Sequence, residues 1–488
     1  VDMCNVISHI HDSSIKMEKQ MKIDDLYSNL NKDINSISKR KKTNARAFEK
    51  MAFDQNAEND LSMLSGAEDY SSSVPSFESY LSESFNRTAV ERDSLTPISD
   101  KNSILKLRPL FGKSENHSSL TIGCHPDFIH LEEPNSKPES GYAVTMFIDI
   151  VGSTKLGVLY SPNDVFLFKN AVITGAIETI TAFDGHVHRI MGDAVMAFFR
   201  SKDLEDSVHS LNSAIDAINC ASYLIEVMDK IVMPQIKEDG LDKVGIRIGI
   251  DLGMKDWVLW SNYGIPGINE ITATSFYVDI ASKLQHKAPT NSIMIGDTLA
   301  KELGLIESDF IKIKKKKKNE EFVEEPYVIN VTSNGNRLKY RQYLLDNKKY
   351  FSCLPHGMSE SEIKLVVRHG PSKEITSLSE YMNCSKVIPK NNHVNFDVEY
   401  TNSSIKSTDN VEFKFEVINT GKDAKEKNKE GREYGNHESM VKANKLGGKY
   451  TASHWEETKY KGLHHMFISV YINGQQYTEK KKFSLFIA

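Results

Sequence analysis

The hydrophobic rhythm changes several times along the 488 residues. Up to about residue 60, apolar side chains recur at helical intervals in an otherwise polar text: Ile15, Met21, Ile23, Leu26, Leu30, Ile34 and Ile37. This predicts one or two exposed helices over 1–60, either a frayed leader or a support for a dimer. Residues 61–137 carry the serines Ser71, Ser72 and Ser73 and then Pro75, and read as linker and lead-in. From Gly141 the text becomes compact. Ala143 to Asp149 is a short apolar strand ending in a carboxylate, and Pro162 to Phe183 reads as helix. Gly185 to Met191 is a strand, Gly192-Asp193 a tight turn, and Ala194 to Phe199 the returning strand. An amphipathic helix follows from about Glu205 to Lys230. Then come a buried strand at Val244–Ile250, a helix at Phe276–Gln285 and a strand at Ser292–Ile295. Strands and helices mix without strict alternation. Residues 138–333 are therefore expected to form an α/β (α+β) domain with a mostly antiparallel sheet.

Phe310 to Val331 reads as a last hairpin whose middle holds Lys314 to Lys318. Such a run suits nucleic acid, but Glu320, Glu321, Glu324 and Glu325 follow at once and favour a solvated hairpin tip. Residues 334–390 read as a connector. Beyond 391 the pattern alternates with period two: Phe396–Tyr400, Val411–Val417, Met466–Ile472 and Phe483–Ile487, separated by polar turns. That predicts a small β-sandwich over 391–488.

Composition narrows the function classes. The net charge of -5 gives no global attraction to nucleic acid or to an anionic membrane. No uninterrupted apolar stretch of membrane-spanning length is evident, and no secretory signal is visible. Cys4, Cys124, Cys220, Cys353 and Cys384 are scattered and lack CxxC spacing. This argues for a reducing cytoplasm and against a zinc or disulfide framework.

The candidate chemistry sits at two strand ends. Asp149 is followed by Ile150, Val151, Gly152, Ser153 and Thr154; Asp193 follows Gly192 in the hairpin turn. A strand end that opens into a helix start presents backbone N–H groups suited to phosphates. Two converging aspartates would hold divalent metals through oxygen. A two-metal site lowers the pKa of an attacking hydroxyl and neutralises leaving phosphates. Strand-end aspartates are also common turn formers, so spacing alone leaves both readings open.

The wording of the motifs goes further. Phe147-Ile-Asp-Ile-Val-Gly-Ser-Thr154, Arg189-Ile-Met-Gly-Asp-Ala-Val-Met-Ala-Phe198, Gly245-Ile-Arg-Ile-Gly-Ile250 and Tyr277-Val-Asp-Ile-Ala-Ser-Lys-Leu284 together resemble the class III adenylate and guanylate cyclase catalytic domain over roughly 138–333. The resemblance implies a homodimer with active sites at the subunit interface and two divalent metal ions, Mn²⁺ or Mg²⁺, as cofactors. It places the metals on Asp149, Asp193 and the Ile150 carbonyl, and the phosphates on the Val151–Thr154 backbone, with Gly152, Ser153 and Thr154 among the substrate contacts. The second half carries Val417-Ile-Asn-Thr-Gly421, Glu430-Gly-Arg432, His454-Trp-Glu-Glu-Thr-Lys-Tyr-Lys-Gly462 and His464-His465. These resemble the sensor domain found behind adenylyl, guanylyl and SMODS cyclases in bacterial defence operons, although Trp455 and Tyr460 read equally well as core aromatics.

The departures from the purine cyclase pattern set the substrate expectation. Where that family has a base-reading lysine four residues before the second metal aspartate, this chain has Arg189. Where it has an acid seven residues before its Asn-x-x-x-Arg motif, this chain has Thr272. An arginine offers a planar fork of donors suited to carbonyl oxygens and narrows the pocket. Phe147 could supply a wall that sets its size. The family's transition-state asparagine and arginine are Asp279 and Lys283, and a lysine still places a point charge on the developing phosphate charge. With the sensor resemblance, this pattern resembles the Pycsar anti-phage pyrimidine cyclases. It implies a cytoplasmic enzyme making a cyclic pyrimidine monophosphate, UTP ranked ahead of CTP, whose product acts through a separate effector, with no nucleic acid or membrane partner. A conventional adenylate or guanylate cyclase and a weakly catalytic nucleotide-binding scaffold are the alternatives.

Overall fold

The strand that ends at Asp149 lies inside a twisted sheet, flanked on both edges. The computed structural model describes residues 22–36 and 102–488, apart from 116–120, 134, 202–206, 238–243, 266, 319–320, 334–335, 428–433 and 447. The linker expected around residues 61–101 lies outside the described residues, as do Ile15, Met21 and Ile37.

In chain order, β1 (Ala143–Val151) leads through α1 (Ser153–Leu159) into α2 (Pro162–Ala182). The hairpin β2 (Gly185–Met191) and β3 (Ala194–Phe199) follows, then α3 (Ser207–Val227) and β4 (Gly245–Gly253). Next come β5 (Leu259–Ile265), β6 (Ile268–Thr274), α4 (Phe276–Lys287), β7 (Ser292–Gly296), β8 (Tyr327–Ser333) and β9 (Asn336–Leu345). The main sheet runs β8-β9-β7-β4-β1-β3-β2; within it β4 and β7 are parallel and the other named pairs antiparallel. Strands β5 and β6 form a separate small sheet with Glu139–Ser140. The expected mostly antiparallel α/β domain is thus present.

Alternation along β1 explains its position. Met146, Ile148 and Ile150 are buried on one face, against Val172 and Ala176 of α2 and Ile215 and Ile218 of α3. Phe147, Asp149 and Val151 point to the other face and are only partly buried. Fully burying a side chain such as Ile218 contributes about 1.5–3 kcal/mol. By length and composition α2 could cross a membrane, which the sequence expectation missed. Its Phe168, Val172 and Ile180 belong to the domain core, so it serves here as a core helix. The N-terminal helix also departs from expectation. The helix over 23–36 is not exposed on every face: Asp24, Asp25, Lys32, Asp33 and Ser36 meet solvent, but Ile23, Leu26, Leu30 and Ile34 are buried in the same core, and the Tyr27 hydroxyl lies 2.8 Å from Thr179 Oγ1. The apolar stripe packs on the chain's own core, including α2, rather than facing solvent.

The region 310–333 is divided differently from the expected single hairpin. Lys315–Lys318 pairs with Glu321–Glu324 as a small hairpin of its own, whereas β8 pairs with β9. The lysine run is charge-balanced as expected, with Lys314 Nζ 3.1 Å from Glu325.

The C-terminal part is a sandwich of two sheets. Its strands are β10 (Lys364–Gly370), β11 (His393–Thr401), β12 (Val411–Ile418), β13 (His437–Lys442), β14 (Lys449–Glu457), β15 (Gly462–Ile472) and β16 (Lys481–Ile487). One sheet holds β10, β11 and β14; the other runs β16-β15-β12-β13. Strand β10 pairs with β11, so the sandwich takes in part of the stretch read as connector. Phe396, Phe413, Phe415, Ile468 and Val470 fill the interior between the sheets. The two halves share a core as well: Leu463 and Phe486 of the sandwich cluster with Phe310, Tyr350 and Phe351.

Candidate active site

Backbone pairing brings the two aspartates to one end of the sheet. Asp149 stands opposite Ala194 in the β1–β3 register, next to the turn that carries Asp193. That turn needs a residue in the left-handed region, and Gly192 supplies it with φ of 68°. The Ile150 N–H donates to the Asp193 carbonyl at 3.2 Å and fixes the turn against the strand end. Just beyond, Gly152 is also left-handed, with φ of 79°, and α1 begins at Ser153.

Each carboxylate is met by a cation and a neutral donor. Ser153 Oγ donates to Asp193 Oδ2, and Lys169 Nζ of α2 lies 3.3 Å from the same oxygen. Burial opposes ionisation of Asp193, but the Ser153 hydroxyl and the Lys169 ammonium outweigh it and hold the carboxyl below its ordinary value. Asp149 Oδ2 accepts from Arg247 Nη2 and, at 3.1 Å, from Gln285 Nε2. Arg247 is the residue directly opposite Asp149 in the β1–β4 register. Gln285 can reach because α4 lies close on β4 at Gly249. A Cβ there would come within 2.2 Å of the Gln285 backbone nitrogen and 2.3 Å of the Ala281 carbonyl. The glycine in the Gly245–Ile250 motif is thus a requirement of helix-on-sheet packing.

These groups fit a divalent cation. Two carboxylates beside a peptide carbonyl are a hard-oxygen donor set. The four side-chain bonds described above all reach Oδ2 and none of them uses Oδ1.

The second constellation lies on β2 and β6. Arg189 Nε donates to Glu270 Oε1 at 2.9 Å, and Arg189 Nη2 donates to Glu270 Oε2. This fork-to-fork contact holds the Glu270 carboxyl below its ordinary value and the guanidinium above its own. Glu270 stands two residues before Thr272, so the two share a face of β6. The acid that meets Arg189 is thus Glu270, on the same strand face as Thr272. Phe147, on the Asp149 face of β1, packs beside Phe198, Trp260 and Val278.

Asp279 and Lys283 are exposed, one turn apart on α4, while Gln285 on the buried side reaches Asp149. Within this chain, no contact described joins them to either aspartate. Lys169, Arg247, Gln285 and Glu270 were not anticipated as site residues. Arg247 sat inside a quoted motif, and Glu270 was one strand repeat from the expected position. Lys169 and Gln285 carry no sequence signal, because helix packing alone aims them.

Fold and site together define a class III nucleotidyl cyclase domain joined to a C-terminal sensor domain. Residues 317–488 match the family described as Adenylyl/Guanylyl and SMODS C-terminal sensor domain. A cytidylate cyclase of Escherichia coli is 51% identical over 473 residues, 96% of this chain and 100% of that protein. A cytidylate cyclase of Staphylococcus aureus is 36% identical over 86% of this chain and 94% of its own. Among solved structures, the adenylyl cyclase CyaB from P. aeruginosa is similar at 19% identity and a TM-score of 0.34, over 43% of this chain and 96% of that one. The chain belongs to the family of Pycsar-type class III pyrimidine nucleotide cyclases with this sensor domain.

Proposed function

We propose that the protein converts CTP into 3′,5′-cyclic CMP and diphosphate. The observation that carries this reading is the Arg189–Glu270 pair. The sequence alone ranked UTP first, because Arg189 brings donors only. A carboxylate beside it reverses the ranking. Cytosine presents an amino donor next to two acceptors, N3 and O2; the amino group suits Glu270 and the acceptors suit the guanidinium N–H groups not turned to Glu270. Uracil places its N–H between two carbonyls, and one of these would abut the carboxylate. Adenine shares the amino–ring nitrogen edge, but Arg and Glu are longer than the Lys and Asp of the purine pattern and shorten the pocket from both sides. The two relatives named cytidylate cyclase support the same choice.

The catalytic roles rest on the chain's own groups. Asp149, Asp193 and the Ile150 carbonyl would hold two divalent ions, Mg²⁺ or Mn²⁺. Ions held there would supply the acidification of the ribose 3′-hydroxyl and the neutralisation of the departing phosphates. The turn at Gly152, Ser153 and Thr154 receives phosphate oxygens, Lys283 stabilises developing phosphate charge, and Asp279 and Thr272 line the nucleotide. These last groups belong to a site completed by a second copy of the chain. Exposure of Asp279 and Lys283, together with Tyr263, Ile265 and Ile268 on the β5–β6 hairpin, supports a homodimer.

The product is read as a messenger in anti-phage defence, acting on a separate effector in the cytoplasm. The sandwich is read as the sensor: a cavity of about 510 Å³ is lined by Phe396, Met466, Asn419, Glu456 and His464. The test of the enzymatic reading is incubation with equal ATP, GTP, CTP and UTP and a divalent metal. Cyclic CMP should dominate. A dominant cyclic AMP or cyclic GMP would overturn the pyrimidine reading, and dominant cyclic UMP would overturn the role given to Glu270.

A further inference from the structure

His188 and Arg189 are consecutive, yet both reach one carboxylate. His188 Nε2 lies 3.2 Å from Glu270 Oε1, and Arg189 Nε lies 2.9 Å from the same oxygen. A regular strand sends neighbouring side chains to opposite faces. Here the β2–β3 register slips between Val187 and Arg189, and the resulting bulge re-aims the side chains.

The protons of this contact are constrained. His188 Nδ1 lies 2.9 Å from the Gly123 carbonyl, which only accepts, so the Nδ1 atom carries a proton. In the neutral ring Nε2 would then be a bare acceptor. It is buried, has no well-aligned hydrogen-bond partner, and faces the Glu270 carboxylate, also an acceptor. The close approach is attractive only when one proton lies between Nε2 and Oε1. Burial is the largest influence on His188 and, with the Arg189 guanidinium, outweighs the Gly123 carbonyl and Glu270, so the imidazolium is held to pH values below the ordinary histidine range. His186 Nε2 reaches the same carbonyl at 3.1 Å, with His125 behind it at a ring separation of 5.1 Å, and Phe198 of β3 covers the His188 ring at 5.1 Å.

We infer that His188 is a positioning residue for base selection, holding Glu270 beside Arg189 through a proton shared between Nε2 and Oε1. This inference rests on the proposed role of Glu270 in reading the base. With the proton on the imidazole, Glu270 is fixed as an acceptor for an amino group. When the proton is lost, two acceptors face each other and the carboxylate moves away from its cytosine-reading position. The titration belongs to the pair rather than to either group.

The experiment measures kcat/KM for CTP and UTP from pH 5.5 to pH 9 in the full-length protein and three variants. In the wild type the CTP/UTP ratio should be highest at the acid end and fall as pH rises through the titration of the pair, which lies below the ordinary histidine range. His188→Leu removes the proton, and the ratio should drop by about tenfold at low pH, through KM for CTP more than through kcat. His188→Gln keeps a permanent donor near the Nε2 position and should restore selectivity while abolishing its pH dependence. Both variants are checked for wild-type circular dichroism and elution volume. If His188→Leu misfolds, His188→Gln decides the matter alone by its flat profile. Glu270→Gln separates the two readings. If it changes the ratio while both His188 variants keep the wild-type ratio and profile, the His188 inference is overturned and the Glu270 role stands. If Glu270→Gln leaves selectivity unchanged, both fail.

Discussion

Asp149 and Arg247 face each other across the β1–β4 pairing, and the guanidinium of one donates to the carboxylate of the other. The contact bears on the proposed metal site, because a guanidinium on the Asp149 carboxylate would compete with a divalent ion for its charge. Arg247 is also held from behind, with Nη1 3.4 Å from the His286 carbonyl.

Arg247→Ala should therefore lower the Mn²⁺ concentration needed for half-maximal activity by about fivefold while reducing kcat, since the ligand charge is no longer offset but also no longer held in place. A metal titration of turnover checks both parameters. An unchanged metal requirement would mean that Arg247 is only a strand-pairing residue.

Subunit complementation tests the shared interface. Asp193→Ala and Arg189→Ala should each be inactive alone, the first through metal binding and the second through base binding. Mixed after reversible dissociation, they should recover about one quarter of wild-type activity, because half of randomly formed dimers carry one intact site of two. Recovery that never exceeds the sum of the separate variants would count against sites built from two chains.

Acid should destabilise the sandwich through His464. Its Nε2 lies 2.7 Å from the Tyr460 carbonyl, and its Nδ1 accepts the Thr420 N–H at 3.1 Å. Burial is the largest influence and lowers its pKa to about 4, against partial opposition from the Tyr460 carbonyl and Asp423. A histidine kept neutral by the fold binds its proton more readily when unfolded. The stability it contributes is thus present above about pH 6.5 and is lost as pH falls toward about 4, up to about 3 kcal/mol. Chemical denaturation between pH 4 and pH 7.5 should show this slope. His464→Gln should make the slope shallower, with His465 and His369, both also lowered by burial, supplying the rest, and an equally steep slope in the variant would assign the acid sensitivity elsewhere.

The joint between the halves is a packing interface. Phe486 is 1% exposed and shares a core with residues of the cyclase domain. Phe486→Ala should cost about 3–5 kcal/mol and lower the melting temperature of both halves together. Calorimetry showing only a sandwich transition shifted, with the cyclase transition in place, would mean that the halves unfold independently.

The main elements around the catalytic centre were legible in the one-dimensional text. The apolar run from Ala143 to a carboxylate at Asp149 marked the strand, and the Gly192-Asp193 turn located the hairpin. These are local consequences of strand geometry and glycine backbone freedom, so they need no partner to be read. The helix at residues 23–36 shows the limit: its apolar stripe was visible, but the surface it covers was not. The partners of the aspartates are of the same kind. Arg247 reaches Asp149 through strand register, Gln285 through the close approach allowed at Gly249, and Lys169 through the seat of α2. Glu270 lies 81 residues from Arg189 and meets it only because a hairpin and a bulged strand converge. Sequence marked many of the strands and helices and the two candidate aspartates, because those depend on neighbours in the chain. Only the tertiary structure decided the charges around them and the acceptor beside Arg189, because register and packing join residues that local pattern cannot connect.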